Sequence, residues 1–299
     1  MTWKRRHGLP NVRTSSSQHF SVPSVSSVPS VPESGTKDLY GTILIATISR
    51  VPPRSKIALA FMAHPDDAEF LCAGTLIRLR EAGWTIHIAT ATPGDCGTMT
   101  EDRWSISATR TREAARSAAM IDAAYHCLDE RDVLVVYDKA TLQKAIDLFR
   151  SVAPSLVFTH APKDYMMDHE MVSLLARAAS FGYGAPNVST LPRLEHSTIP
   201  HLYYCDPIEG IDPLGNEVTP TTHIDVSDQM QRKSEMLACH ASQREWLRAH
   251  HGMDEYLESM RRHAARRGQQ AGVAAAEAFV QHRGHAYPRN DLLAELFPL

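Results

Sequence analysis

The feature that most restricts this chain is the run IALAFMA at 57–63, apolar at every position and stopped abruptly by His64-Pro65. A strand with one wet face alternates apolar with polar residues. A run with no polar position must be covered on both faces, as strands of a helix-flanked parallel sheet are. SLVFTH at 155–160 repeats the pattern and again ends on a histidine. Between and around the two runs, the periodicity predicts a helix over 68–82, a strand over 85–91 and a glycine-containing loop over 93–97. An Ala-rich helix over 107–120, a short strand over 133–136, and helices over 140–152 and 169–179 complete the set. Alternation of this kind predicts an α/β class: a Rossmann-like three-layer fold with a mostly parallel sheet, whose ligands gather at the carboxyl ends of the strands. His64 and His160 stand at two such ends.

The last third is less regular. It reads as a strand over 201–204, a turn-rich loop over 206–216, helices over 227–240, 253–267 and 272–281, and a tail containing GHAYP. With no internal repeat and no second apolar core in view, this region is expected to form a lid or wall on one domain spanning 54–299. Residues 1–53, with SVPSVSSVPSVPES, are too poor in large apolar side chains to offset the entropy of ordering and read as a disordered low-complexity tail. An upstream translation start would leave the same composition.

Whole-chain properties exclude several classes. With 31 basic against 34 acidic groups, a net charge of −3, no global field recruits nucleic acid or an anionic membrane. No apolar stretch approaches the roughly 18 residues of a membrane span. Lys4-Arg5-Arg6 is followed by Ser, Pro and Gln rather than the apolar segment of a signal peptide. Five scattered cysteines without a CxxC pair suit neither a disulfide framework nor a cysteine zinc site, so reduced thiols in a cytoplasmic protein are expected.

The chemistry-bearing residues cluster just after the two apolar runs. In AHPDDAEF at 63–70, Pro65 biases His64 away from the α region and can itself begin a helix, holding an imidazole and two carboxylates in a turn. Catalytic zinc sites use three protein ligands of histidine and carboxylate type. His64 and one aspartate supply two. Successive aspartates point apart, which suits one to the metal and the other to its water as general base. Carboxylates also suit the positive end of a helix, so HPDD by itself is equally a cap. The third ligand is expected from THAPKDYMMDHE at 159–170, where His160, Asp164, Asp168 and His169 lie close together; most of the 16 histidines must be bystanders.

AHPDDAEFLCAGTL at 63–76 resembles the PIG-L/LmbE-like zinc-dependent deacetylases, and the resemblance extends over about 56–243. It implies that His64 and Asp67 bind zinc, one ion per chain, that Asp66 is the general base, and that His169 of Met166-Met167-Asp168-His169 is the third ligand. It further implies a hydrolase that removes an acetyl group from an N-acetylated sugar or sugar conjugate, often as an oligomer. TPGDCG at 92–97 resembles the family's glycine loop, and Arg110 and Glu113 its RxxE helix, with Arg110 placed to meet substrate oxygens. KSEMLACHASQ at 233–243 resembles its Lys helix with HxSQ ending. Asp168 is expected to orient a neighbouring ligand.

One departure matters. Many members carry His where this chain has Met166, and a thioether neither stabilises an oxyanion nor protonates an amine. His285, His240 and His196 are the candidates to replace it, with His285 favoured because its loop lies near the chain end. Rival readings are a zinc-binding protein that recognises a glycan or a partner without turnover, and an amidase of a sugar-linked thiol conjugate. A nucleotide-binding enzyme using TPGDCG ranks behind, because HPDD stands where phosphate-cradling glycines belong.

Overall fold

In the computed structural model, residues 55–192, 194, 197–251 and 256–299 are described; the tail at 1–53 and His196 lie outside the described residues. The apolar run forms β1 (Ile57–Met62), buried from Ala58 onward. Then follow α1 (Asp67–Leu71), α2 (Ala73–Glu81), β2 (Thr85–Thr90), α3 (Arg103–Ala119), β3 (Ala124–Cys127), α4 (Lys139–Val152), β4 (Leu156–Thr159) and α5 (Met167–Gly182). The last third supplies β5 (His201–Cys205), β6 (Thr222–Asp225), α6 (Met230–Ala238), α7 (Ala241–His251), α8 (Tyr256–Ala271), β7 (Ala276–Gln281) and α9 (Leu292–Leu296).

The strands make one seven-stranded sheet in the order β3-β2-β1-β4-β5-β7-β6. Strands β1 to β5 pair in parallel, while β7 runs antiparallel to both β5 and β6. The expected α/β, mostly parallel fold is thus present. Alternate residues of β1 feed two cores, one per sheet face: Ala58, Ala60 and Met62 pack with Leu76, Met236 and Met260. Leu59 and Phe61 pack with Phe149 and Val172 on the other face. Each large side chain so buried contributes about 1.5–3 kcal/mol. Helices cover both faces, and the carboxyl ends of β1 and β4 are left open to one another.

Three expectations are corrected. The helix over 68–82 is two helices broken at Cys72 (φ −143°, ψ 6°). The Glu277 carboxylate, from β7, accepts the Gly74 and Thr75 N–H groups at 2.8 and 2.7 Å and so caps a fresh helix start there. The helix over 272–281 is instead strand β7: Ala-rich sequence favours helix, but the antiparallel pairing with β5 and β6 overrides it. The strand over 133–136 is a loop. Its neighbour β3 escapes notice because AYHC is a polar, half-buried edge strand with no apolar signature.

Candidate metal centre

His64 leaves the end of β1 and Asp67 opens α1. The turn between them closes when Asp67 Oδ2 accepts the His64 backbone N–H at 2.7 Å. That oxygen also lies 3.4 Å from His64 Nδ1. From the end of β4, His160 meets it too, with Nε2 at 3.1 Å while accepting the Ala63 N–H at 2.9 Å. His169, in the first turn of α5, stacks on the His160 ring with centroids 3.8 Å apart. Its Nδ1 is 2.8 Å from Asp164 Oδ1 and its Nε2 3.6 Å from Asp67 Oδ1. One donor atom each from His64, Asp67 and His169 lies within 4.8 Å of the other two.

Two overlapping groups, His64–Asp132–Asp168 and His160–Asp164–His169, meet the same distance. There the contacts are hydrogen-bonding pairs: His64 Nε2 is 3.1 Å from Asp132 Oδ1 and 3.2 Å from Asp168 Oδ2, and His169 Nδ1 faces Asp164. His169 Nε2, like His160 Nδ1, is buried with no hydrogen-bond partner, and it is the one that faces Asp67, 3.6 Å from Oδ1. A buried nitrogen without a partner is costly. Set beside a carboxylate and a second imidazole, it fits a divalent metal with mixed nitrogen and oxygen ligands.

The surroundings fix these groups. Asp168 accepts the N–H of Val133 at 2.7 Å and of Val135 at 3.2 Å, and so aims an oxygen at His64. Val133 adopts φ 68°, rare for a β-branched residue, to make its bond. Asp132, absent from the sequence reading, holds the same imidazole nitrogen. It follows β3, the strand that went unread, so no apolar run drew attention to it. Burial lowers the affinity of His64 for a proton, but Asp132, Asp168 and Asp67 reverse this and raise its pKa well above the usual value. For Asp67, burial acts upward and is outweighed by His169 and His160, which hold it well below the carboxylate range.

Asp66 caps α1 with φ 102°, a left-handed conformation that strains any residue with a side chain. Its Oδ2 accepts the Tyr256 hydroxyl at 2.5 Å and lies 3.8 Å from Arg110 Nη2. Burial raises its pKa, with Arg110 opposing. Arg110 donates to the Pro65 carbonyl at 2.9 Å and to the Gly94 carbonyl at 3.1 Å, bracing the HPDD turn against the glycine loop. Gly94, at φ 72°, is required there: a Cβ would sit 2.2 Å from Arg110 Nη1. Glu113 accepts both the N–H and the hydroxyl of Ser242, joining α3 to the HASQ segment.

These groups open onto a cavity of about 940 Å³. Its floor holds His64, Asp66, Asp67 and His169, and Arg110 and Met166 line it as well. Ile208, Glu209, Ile211 and Asp212, from the turn-rich loop of the region expected to form a wall, line it together with Trp246, Tyr256 and Arg262. Of the three candidates to replace the missing histidine, the two that are described, His285 and His240, do not line this cavity. His285, favoured for its place near the chain end, is exposed and outside the lining. His240 is buried 3.3 Å from Glu69 and borders a separate cavity of about 190 Å³.

Residues 59–180 match the family model described as PIG-L: GlcNAc-PI de-N-acetylase. The 4-oxalmesaconate hydratase of Pseudomonas putida KT2440 is 26% identical over 250 residues, 78% of this chain and 90% of that protein. The structure of GalB, the 4-carboxy-2-hydroxymuconate hydratase of the same organism, superposes with a TM-score of 0.65 at 23% identity, covering 79% of this chain and 99% of that one. The N,N'-diacetylchitobiose deacetylase of Pyrococcus horikoshii gives 0.66 at 22% identity, covering 80% and 89%. At such identities the structures show the shared fold. Deacetylases and hydratases both occur among these relatives, and no helix among the described residues is long and apolar enough to cross a membrane.

Proposed function

Because residues 59–180 carry a PIG-L-family domain, we propose that the protein is a zinc-dependent hydrolase that removes the acetyl group from an N-acetylated sugar or sugar conjugate. The supporting observation is the convergence of His64, Asp67 and His169 within 4.8 Å, with a buried, unpartnered His169 Nε2, beside Asp66 on one cavity floor. These three residues would hold the ion, with further positions left for water and substrate. Bound there, zinc supplies Lewis acidity, polarising the amide carbonyl and easing the deprotonation of water.

The chain's own residues supply the rest. Asp66 Oδ2 is engaged by Tyr256, which leaves Oδ1 to take a proton as water attacks the carbonyl carbon and a C–O bond forms. When the C–N bond breaks, the same carboxyl returns the proton to nitrogen, and acetate and a free amine leave. That second transfer falls to Asp66 because Met166 has no proton to give. Asp168 and Asp132 fix the His64 ring through Nε2, turning Nδ1 toward Asp67. Arg110 lines the cavity and, through Nη1 and Nη2, braces the turn that carries Asp66.

A second reading, addition of water to the double bond of an unsaturated polycarboxylic acid, is favoured by the hydratase that covers 78% of the chain. The charge of the lining opposes it. Beyond the floor the wall carries Glu209 and Asp212 against Arg262, a poor host for a multiply charged anion. Zinc-loaded protein is expected to hold about one equivalent of metal and to release acetate from a panel of N-acetyl amino sugars, and His169→Ala to lose both metal and acetate release. Bound zinc without acetate release, but with loss of the ultraviolet absorbance of an unsaturated tricarboxylate, moves the assignment to hydration. Zinc binding with neither leaves glycan recognition without turnover.

A further inference from the structure

The element that touches Asp66 lies outside the family-matched stretch of 59–180. Tyr256, the first residue of α8, is 190 residues from Asp66 in sequence, and its hydroxyl donates to Asp66 Oδ2 at 2.5 Å. Asp66 sits at φ 102°, a conformation that persists only where neighbours over-determine it. Arg110 Nη2 lies 3.8 Å from the same oxygen while donating to the Pro65 carbonyl, so the Tyr256 hydroxyl is the hydrogen bond that Oδ2 accepts. A tyrosine hydroxyl buried against a carboxylate also locks orientation, because a bond to a charged acceptor is short and strong.

Helix α8 is itself firmly seated. Met260 and Ala264 are buried in the core, and Arg267 makes a buried bidentate pair with Asp206 at 2.7 and 2.7 Å. The same helix therefore sets both the cavity wall, through the loop after Asp206, and the angle of the Asp66 carboxylate. Tyr256 borders the same cavity as Asp66.

We propose that Tyr256 is a positioning residue: it pins Asp66 Oδ2, so that Oδ1 is the oxygen presented to the attacking water and to the leaving nitrogen. This rests on the hydrolase reading above for the identity of the reaction, but the pinning itself is testable without substrate. The competing view is that Tyr256 is a buried tyrosine that merely needs an acceptor. A purely structural hydroxyl would change stability while leaving turnover of the folded enzyme as it was.

In zinc-loaded full-length protein, Tyr256→Phe is expected to lower kcat about 10-fold or more, with KM and bound metal unchanged. Alongside, a double-mutant cycle of Tyr256→Phe with Asp66→Ala, followed by urea denaturation, needs no substrate. The double variant is expected to shift the midpoint clearly less than the sum of the two single shifts, since the two residues share one contact. Additive shifts, or wild-type kcat in Tyr256→Phe, overturn the proposal. If wild type releases no acetate while the cycle is non-additive, the hydrolase reading fails and the pinning stands.

Discussion

The stretch from β1 to α5 and the stretch from β5 to α9 divide the labour of this molecule unequally. The first runs strand and helix in regular alternation, and each member of the His64–Asp67–His169 group comes from the loop or helix that follows β1 or β4. The second breaks the alternation, folding β7 antiparallel between β5 and β6 and sending α8 back across the cavity. It contributes no member of the His64–Asp67–His169 group, yet supplies the Tyr256 hydroxyl, the Glu277 cap on α2 and the outer cavity wall. Chemistry and its alignment are thus carried by regions with different sequence constraints. Donors need short-range spacing, whereas alignment needs only that a helix arrive at the right place.

If that division holds, damage to the first region should read out as lost reaction, and damage to the second as lost stability except at Tyr256, whose bond to Asp66 carries over to turnover. The largest effect is expected from Asp66→Asn, which keeps the shape of the side chain and tolerates a left-handed backbone but cannot take a proton. Steady-state kinetics should show kcat down by ~10² to 10⁴, with metal content by elemental analysis unchanged; near-normal turnover would remove Asp66 from the base role.

Arg267→Met in the second region leaves Asp206 buried without its bidentate partner. Losing one member of such a pair costs roughly 3–5 kcal/mol, measurable as a lower urea midpoint, while metal content at low denaturant should match wild type. If the metal is lost as well, the two regions are not separable. The smallest effect is expected at their seam: Ser242→Ala deletes one hydroxyl bond to Glu113. About 1–2 kcal/mol of stability should go, with kcat within twofold, and a large kinetic change would mean that the α3–HASQ contact reaches the site.

How much could be read in advance follows the same boundary. HPDD stands out in the sequence because the polar cluster follows directly on an apolar strand, and strand ends are where parallel sheets gather ligands, whereas among His160, Asp164, Asp168 and His169 only the family resemblance singles out His169. Asp132 does the same work after β3, yet AYHC carries no apolar run to announce the strand. Tyr256 had no local signal at all, since nothing near residue 256 distinguishes it from any amphipathic helix start. Proximity to the chain end favoured His285, and the residue proved exposed, because distance along the chain says little about place in a fold whose last strand is internal to the sheet.

Local chemistry in the chain determined that a parallel sheet would form around two apolar runs and that an imidazole and carboxylates would stand at their ends. Those outcomes depend on residues within a few positions of one another, where periodicity and turn stereochemistry act. Only the tertiary structure decided that helix 68–82 would break at Cys72, that an Ala-rich segment would become strand β7, and that one phenol would bond to Asp66. Each of these requires a partner some 70 to 200 residues away in sequence, and such contacts become favourable only after packing has already met the entropy of bringing the segments together.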